Sequence, residues 1–449
     1  MSSTDRDPIA VPSAAAAAAG GGGGGGRSGG PATPTAIDRP RDQLALGSAY
    51  LAQGLVYGWG GYLLLPRLAE AESLGAQAAI MSLAGVPWVF KLLWGPWVDG
   101  PRARRRGPLW LVAIASFAIA GALAVLAWRG EPSAVSGPVA VAWLAVNLAM
   151  SLQDVAADAF ALDRLSPRAR GRGFAIMLGA HHVGGDLLVA TWLAPWAALP
   201  GGMPAVTAWI AAGVAAIAAV LLGSARAPVG RPMLAAPPSW AQGLRSFAGR
   251  RRLLLLASLV FAADVVTSAV SYAWLVGHLG WTPAQMAERL GWLLAPATLL
   301  GFASAALVLS RLGNARAAIV SSAVLGLAWV GFAAAAAAWH RPVFVQTFAA
   351  LQAIVIAWLY TATHAVLADA TWPRLRATQF AVLTAATNLP RLWAPGIGAL
   401  LVGGFGFAGT FAACGLWQLA IAAMLPWATR ITAADPGEPT AGAPPSAPA

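Results

Sequence analysis

From Leu109 to Trp128 the chain runs for twenty residues without a charge. About 20 apolar residues are what a helix needs to cross the hydrocarbon of a bilayer. Lipid offers no partners to backbone N–H and C=O groups, so a lipid-crossing segment must satisfy them internally. Eleven further apolar runs accompany this one, and together the twelve lie at about 44–66, 76–98, 109–129, 138–163, 173–197, 204–224, 253–276, 286–309, 317–339, 343–368, 377–402 and 406–428. Only 10% of the residues are charged and the mean hydropathy is +0.66, whereas soluble domains carry about 25% charged residues. The expected fold class is an all-α polytopic membrane protein with twelve transmembrane helices.

The loops set the orientation. If the loop after the second run is cytoplasmic, that side collects 23 arginines and the opposite side four, namely Arg67, Arg129, Arg289 and Arg341. Such a bias follows the positive-inside rule and puts both termini in the cytoplasm. The net charge of +12 is thereby read as topogenic, and no nucleic-acid partner is expected. Cys414 is the single cysteine, so no intramolecular disulfide can form. Residues 1–42 and 431–449 are low-complexity, rich in Ala, Gly and Pro, and are expected to be disordered tails. No signal peptide is read at the start. The basic, proline-containing segment 225–252 is expected to link two six-helix bundles, 43–224 and 253–430.

The two halves echo each other. Asp163, Arg170 and Phe174 align with Asp369, Arg376 and Phe380 at one offset (369 − 163 = 206; 380 − 174 = 206). Parallel repeats of six helices are a transporter architecture, with the substrate site between the halves near mid-membrane.

Ionisable residues inside the runs mark candidate sites, because a charge in hydrocarbon is costly and faces a cavity or a partner. Lys91, the only lysine, lies eight residues before Asp99, and Asp154 lies nine before Asp163. These spacings correspond to about 12 and 13 Å along parallel helices, so a Lys91–Asp154 pair is possible. It reads either as a bundle-locking pair or as one that a proton or substrate breaks. Asp158 is one turn from Asp154 on the same face, and repulsion between the two makes a proton carrier possible. The repeat sets His364 opposite Asp158; it reads as a second titratable site or as a core histidine. Arg391 cannot lose its proton and needs an anionic ligand or a carboxylate, with Asp186 and Asp264 as candidate partners. His182 and Asp186 share a helix face, but the set is too sparse for a metal, and no cofactor is expected. Tyr57, Trp59 and Tyr62 could line a cavity, although GLVYGWGG also suits close helix packing. Asp99 with Arg104 and Arg105, and Asp163 with Arg170, Asp369 and Arg376, are either topogenic or a cytoplasmic gate latching the halves. No nucleophile elbow, phosphate-cradling loop or HExxH is present, so an enzyme is not expected.

YLAQGL from Tyr50, GVPWVFKLLWGPWVD over 85–99, Gln153-Asp154 with Asp158 and Asp163, and ATQFA from Ala377 followed by Arg391 resemble the AmpG-like muropeptide permeases. Eukaryotic acetyl-CoA transporters share parts of this pattern, and both groups belong to the major facilitator superfamily. The resemblance implies a proton-linked carrier in a bacterial inner membrane that imports cell-wall disaccharide-peptides. With it, Lys91, Asp154, Asp158 and His364 are expected to couple protons. Arg391, Asp186, Asp264, Gln53 and Tyr57 are expected to line the substrate path. The expected partners are a small-molecule substrate, protons and the bilayer, and the expected state is a monomer. An exporter working by proton antiport and a non-transporting sensor are the alternatives.

Overall fold

The computed structural model describes residues 40–64, 67, 85–130, 137–225, 241, 245–247, 250–372 and 375–429. The expected tails, apart from residues 40–42, most of the expected linker and the first part of the second run lie outside them.

All described regular structure is helical. Helix α1 covers Pro40–Gly58 and continues as a π-helix, Trp59–Leu64. The described part of α2 is 85–98, with a 3₁₀ stretch over Phe90–Trp94. Then come α3 (Pro108–Arg129), α4 (Gly137–Arg164), α5 (Arg170–Ala197) and α6 (Gly202–Ser224). In the second half, α7 is Arg251–Leu259 and Ala262–Ala273, extended by Trp274–His278. Helices α8 (Glu288–Leu312), α9 (Asn314–Ala334) and α10 (Pro342–Asp369) follow. The last helical stretch runs from Arg376 to Ala428. Gly406, at φ +66 and ψ −177, breaks it into α11 and α12, a conformation open to glycine because it has no Cβ. Among the described residues nine stretches are long and apolar enough to span a bilayer. Prolines open α3 and α10 at the first helical position, where the missing N–H has no intrahelical partner to lose.

Small residues bring helices together. A Cβ on Gly54 of α1 would lie 1.9 Å from the His181 carbonyl oxygen of α5, and one on Gly58 would lie 2.8 Å from Gly185 Cα. Gly326 of α9 and Gly415 of α12 meet in the same way. Where hydrocarbon surrounds the helices, the hydrophobic effect does not drive them together, and close backbone packing takes its place. In the first half α3 packs on α4 and α6, and α1 on α4, α5 and α6. In the second, α9 packs on α10 and α12, and α8 on α10.

The halves meet through α5 against α8 and α10, and through α11 against α2 and α4. One apolar core joins both halves at the arginine-rich end, through Val98, Phe160, Phe174, Leu367 and Phe380. Toward the other end the first half has its own core, with Trp59, Leu123, Val146, Val189 and Ile210, and among the described residues none of the second half belongs to it.

Candidate functional site

Helix α4 carries the centre of the site. Asp154 and Asp158 are both buried and lie one turn apart, so they share a face. Lys91 Nζ of α2 sits 2.7 Å from Asp154 Oδ2. From α1, Gln53 Nε2 donates to Asp154 Oδ1 at 3.1 Å. Tyr50 Oη donates to Asp158 Oδ1 at 2.6 Å and lies 3.3 Å from Asp154 Oδ1. Gln53, expected on the substrate path, is only 2% exposed and serves the carboxylate cluster. The neighbouring Gln153 turns the other way and donates to Ser116 Oγ of α3 at 2.8 Å.

His364 of the second half approaches this cluster among rings from both halves. His364 of α10 lies within electrostatic reach of Lys91 and Asp154. Its Nδ1 is 2.8 Å from the Tyr360 carbonyl. Its ring lies 5.9 Å from Phe174 and 6.3 Å from Phe380.

A second polar group forms between α1 and α5. Asp186 accepts Tyr62 Oη at 2.9 Å and sits 2.7 Å from His182 Nδ1. Asp186 lies in a π-helical stretch of α5, Val183–Leu193, and such stretches recur at functional sites. The His182 ring stacks on Phe302 of α8 at 5.0 Å, and His181 lies 5.1 Å from Tyr57. Tyr57 and Tyr62 are exposed, whereas Trp59 is buried and donates to Thr207 Oγ1 at 2.8 Å. Trp59 therefore packs the first half and lines no cavity, because its indole N–H finds its partner inside the bundle.

A third group belongs to the second half. Helix α7 breaks after Leu259, which places Asp264 in the first turn of its next piece. Tyr360 Oη of α10 donates to Asp264 Oδ2 at 3.2 Å and stacks on Phe261 at 4.0 Å. Arg391 of α11 is exposed, and its charge reaches Asp264, Tyr360 and His181. Neither Asp186 nor Asp264 is ion-paired or hydrogen-bonded to it; each carboxylate is held by other side chains. An arginine in the apolar part of a chain, without a hydrogen-bonded carboxylate among the described residues, is suited to an anionic ligand.

The arginine-rich end is held shut across the halves. Asp99 is fully buried. Its Oδ2 accepts Thr378 N and Thr378 Oγ1, both at 2.8 Å, and its Oδ1 accepts Ala377 N at 3.3 Å. These amides belong to the first turn of α11, where N–H groups lack intrahelical partners and the helix dipole favours an anion. Gly95 permits the approach, since a Cβ there would lie 2.5 Å from Thr378 Cα. Arg170 Nη1 pairs with Asp369 Oδ1 at 2.6 Å, and Asn314 Nδ2 donates to Asp369 Oδ2 at 2.7 Å. Arg376, the repeat partner of Arg170, donates to the Leu162 carbonyl at 2.9 Å, next to Asp163. Each half thus sends an arginine to the end of the other half's fourth helix. Arg105 is exposed, and the side chain of Arg104 lies outside the described part.

Tyr50, Tyr360, His182 and Thr378 take larger parts than the sequence pattern indicates. Tyr50 and Gln53 stand three apart in one apolar run, and Tyr360 and His364 stand four apart in another. That polar spacing on one face is the signal that points to them.

A family model described as Major Facilitator Superfamily matches residues 46–346. Among solved structures the fold is similar to the human organic anion transporter MFSD10 (TETRAN), with a TM-score of 0.67 at 16% identity, covering 86% of this chain and 100% of that one. It is similar to the proton:xylose symporter XylE, with a TM-score of 0.64 at 13% identity, covering 85% and 94%. A bacterial homologue of the iron transporter ferroportin, in an outward-facing state, gives 0.63 at 15% identity, covering 87% and 98%. At these identities the structural likeness establishes the fold, and the family model establishes the membership. The protein is a multi-pass membrane transporter and not an enzyme, and it belongs to the Major Facilitator Superfamily.

Proposed function

We propose that the protein is a proton-coupled symporter that imports cell-wall muropeptides, or a related anionic solute, across a bacterial inner membrane. The arginine-rich end is read as cytoplasmic from the loop charges. The conformation described above is then closed to the cytoplasm. Two bundles, 43–224 and 253–430, rock about the site between them. Lys91, Asp154, Asp158 and His364 take the proton-coupling role. Arg391 receives an anionic group of the substrate, and Asp186, Asp264 and Tyr57 line its path. Asp99 and the Arg170–Asp369 and Arg376–Leu162 contacts form the gate that must break when the protein opens inward.

The observation that carries this reading is the cluster in which Lys91, Asp154 and Asp158 meet within the apolar spans, beside Arg391-bearing α11. Membrane carboxylates placed so mark ion pathways and proton relays. The sequence resemblance to muropeptide permeases supports the substrate class. A proton:xylose symporter and an organic anion transporter among the similar folds accord with a proton and an anion as ligands.

The test is a deletion strain whose culture medium is profiled for wall fragments. Disaccharide-peptides accumulating outside the cells, and disappearing when the gene is restored, are the expected result. An unchanged fragment profile would reject muropeptide import.

A further inference from the structure

Two carboxylates one turn apart share the coupling site, and their surroundings differ. Asp154 is held by the Lys91 ammonium at 2.7 Å on one oxygen and by Gln53 Nε2 at 3.1 Å on the other. Asp158 receives the Tyr50 hydroxyl at 2.6 Å on one oxygen, and its second oxygen has no hydrogen-bond partner among the described residues. A tyrosine hydroxyl has a single proton to donate. At 2.6 Å from Asp158 and 3.3 Å from Asp154, that proton goes to Asp158.

Charge balance separates the two acids further. The titratable or charged groups facing Asp158 are Tyr50 from α1, Lys91 from α2 and Asp154 on α4 itself, while His364 from α10 faces Asp154 and Lys91. One ammonium faces two buried carboxylates, and it lies against Asp154. A buried ion pair with its remaining lone pairs satisfied is a stable neutral unit. A second carboxylate beside that pair, with one hydroxyl for a partner, becomes neutral only by taking up a proton.

We propose that Asp158 is the carboxylate that carries the transported proton, that Lys91–Asp154 is a standing ion pair, and that Tyr50 is a positioning residue. The proposal deepens the proton-coupled reading and rests on it. Protonation places H⁺ from the open side on the free oxygen of Asp158, while its other oxygen keeps the Tyr50 hydrogen bond. Release to the opposite side returns the carboxylate, and no other bond changes. Tyr50 keeps the acid turned toward α1, one turn from Asp154, so that the ionised form is repelled by Asp154 and the protonated form is not.

The experiment needs no substrate: a pH titration of the liposome-reconstituted protein followed by infrared difference spectroscopy of the protonated-carboxyl C=O stretch. Asp158→Asn removes one component of that band, and Tyr50→Phe shifts the same component to higher frequency. The double variant Lys91→Met/Asp154→Asn, which removes both charges of the pair together, retains it. If Asp158→Asn does not fold, Asp158→Glu must still displace the component. A spectrum unchanged in the Asp158 variants, or a component lost in the double variant, overturns the assignment. Failure of the transport reading is separable: there the band behaves as stated, and substrate addition moves no protons.

Discussion

Lys91 and Asp154 show what a single buried pair demands of its neighbours. Removing one partner leaves an uncompensated charge, at a cost of about 3–5 kcal/mol, whereas replacing both is often neutral. Lys91→Met is therefore expected to lower the thermal midpoint in detergent, and adding Asp154→Asn to restore most of it. A double variant no more stable than the single one would show that the pair is not what holds Lys91. Arg391→Gln removes a charge-assisted hydrogen bond to an anion, about 1.5–3 kcal/mol. The half-saturating concentration of a carboxylate-bearing substrate should rise about ten- to hundredfold, measured by uptake; unchanged affinity would place the anion elsewhere. Counting residues along two parallel runs was enough to set Lys91 and Asp154 at one depth. For Tyr50 the three-residue spacing to Gln53 marks a polar face of α1, but not the helix that this face meets. Its value comes from α1 crossing α4 beside the two carboxylates.

Helix α1 carries its information in glycines. Gly54 and Gly58 let α5 approach, and this brings Tyr57 to His181 and Tyr62 to Asp186. A bulky side chain at Gly54 has no space, since even a Cβ would lie 1.9 Å from the His181 carbonyl oxygen. Gly54→Val is expected to abolish the folded monodisperse protein in size-exclusion chromatography, while Gly61→Val, where a Cβ meets nothing within 4 Å, leaves it intact. Equal behaviour of the two would contradict the close crossing. The glycine-rich run was readable either as packing or as a cavity wall, and the helix divides the two: Gly54 and Gly58 pack, and Tyr57 is exposed. The π-helical stretches of α1 and α5 had no sequence signal. They depend on how neighbouring helices satisfy displaced backbone groups, which periodicity does not encode.

At the scale of the whole molecule, the repeat is visible in both the sequence and the backbone. Gly107 and Gly313 stand at the same offset as Asp163 and Asp369 (313 − 107 = 206), and both hold positive φ, 84° and 77°. What the halves do with the repeat was hidden, since the partners across the halves lie 199 to 279 positions apart. Asp369 of one half takes Arg170 of the other, and Asp99 takes the first turn of α11. Arg170→Asp and Asp369→Arg, made singly, should part the arginine-rich ends, and together they should close them again. Distances between spin labels on 105 and 311 report this; a swapped pair that stays open would mean that Arg170–Asp369 does not hold the gate.

The most direct measurement follows protons and substrate together. Proteoliposomes loaded with a pH-sensitive dye are given a disaccharide-peptide from outside, without an imposed gradient. Acidification of the lumen that starts with substrate, scales with its uptake and is absent in Asp158→Asn liposomes is the expected result. Substrate entry with no movement of protons would contradict proton coupling at the Lys91–Asp154–Asp158 cluster.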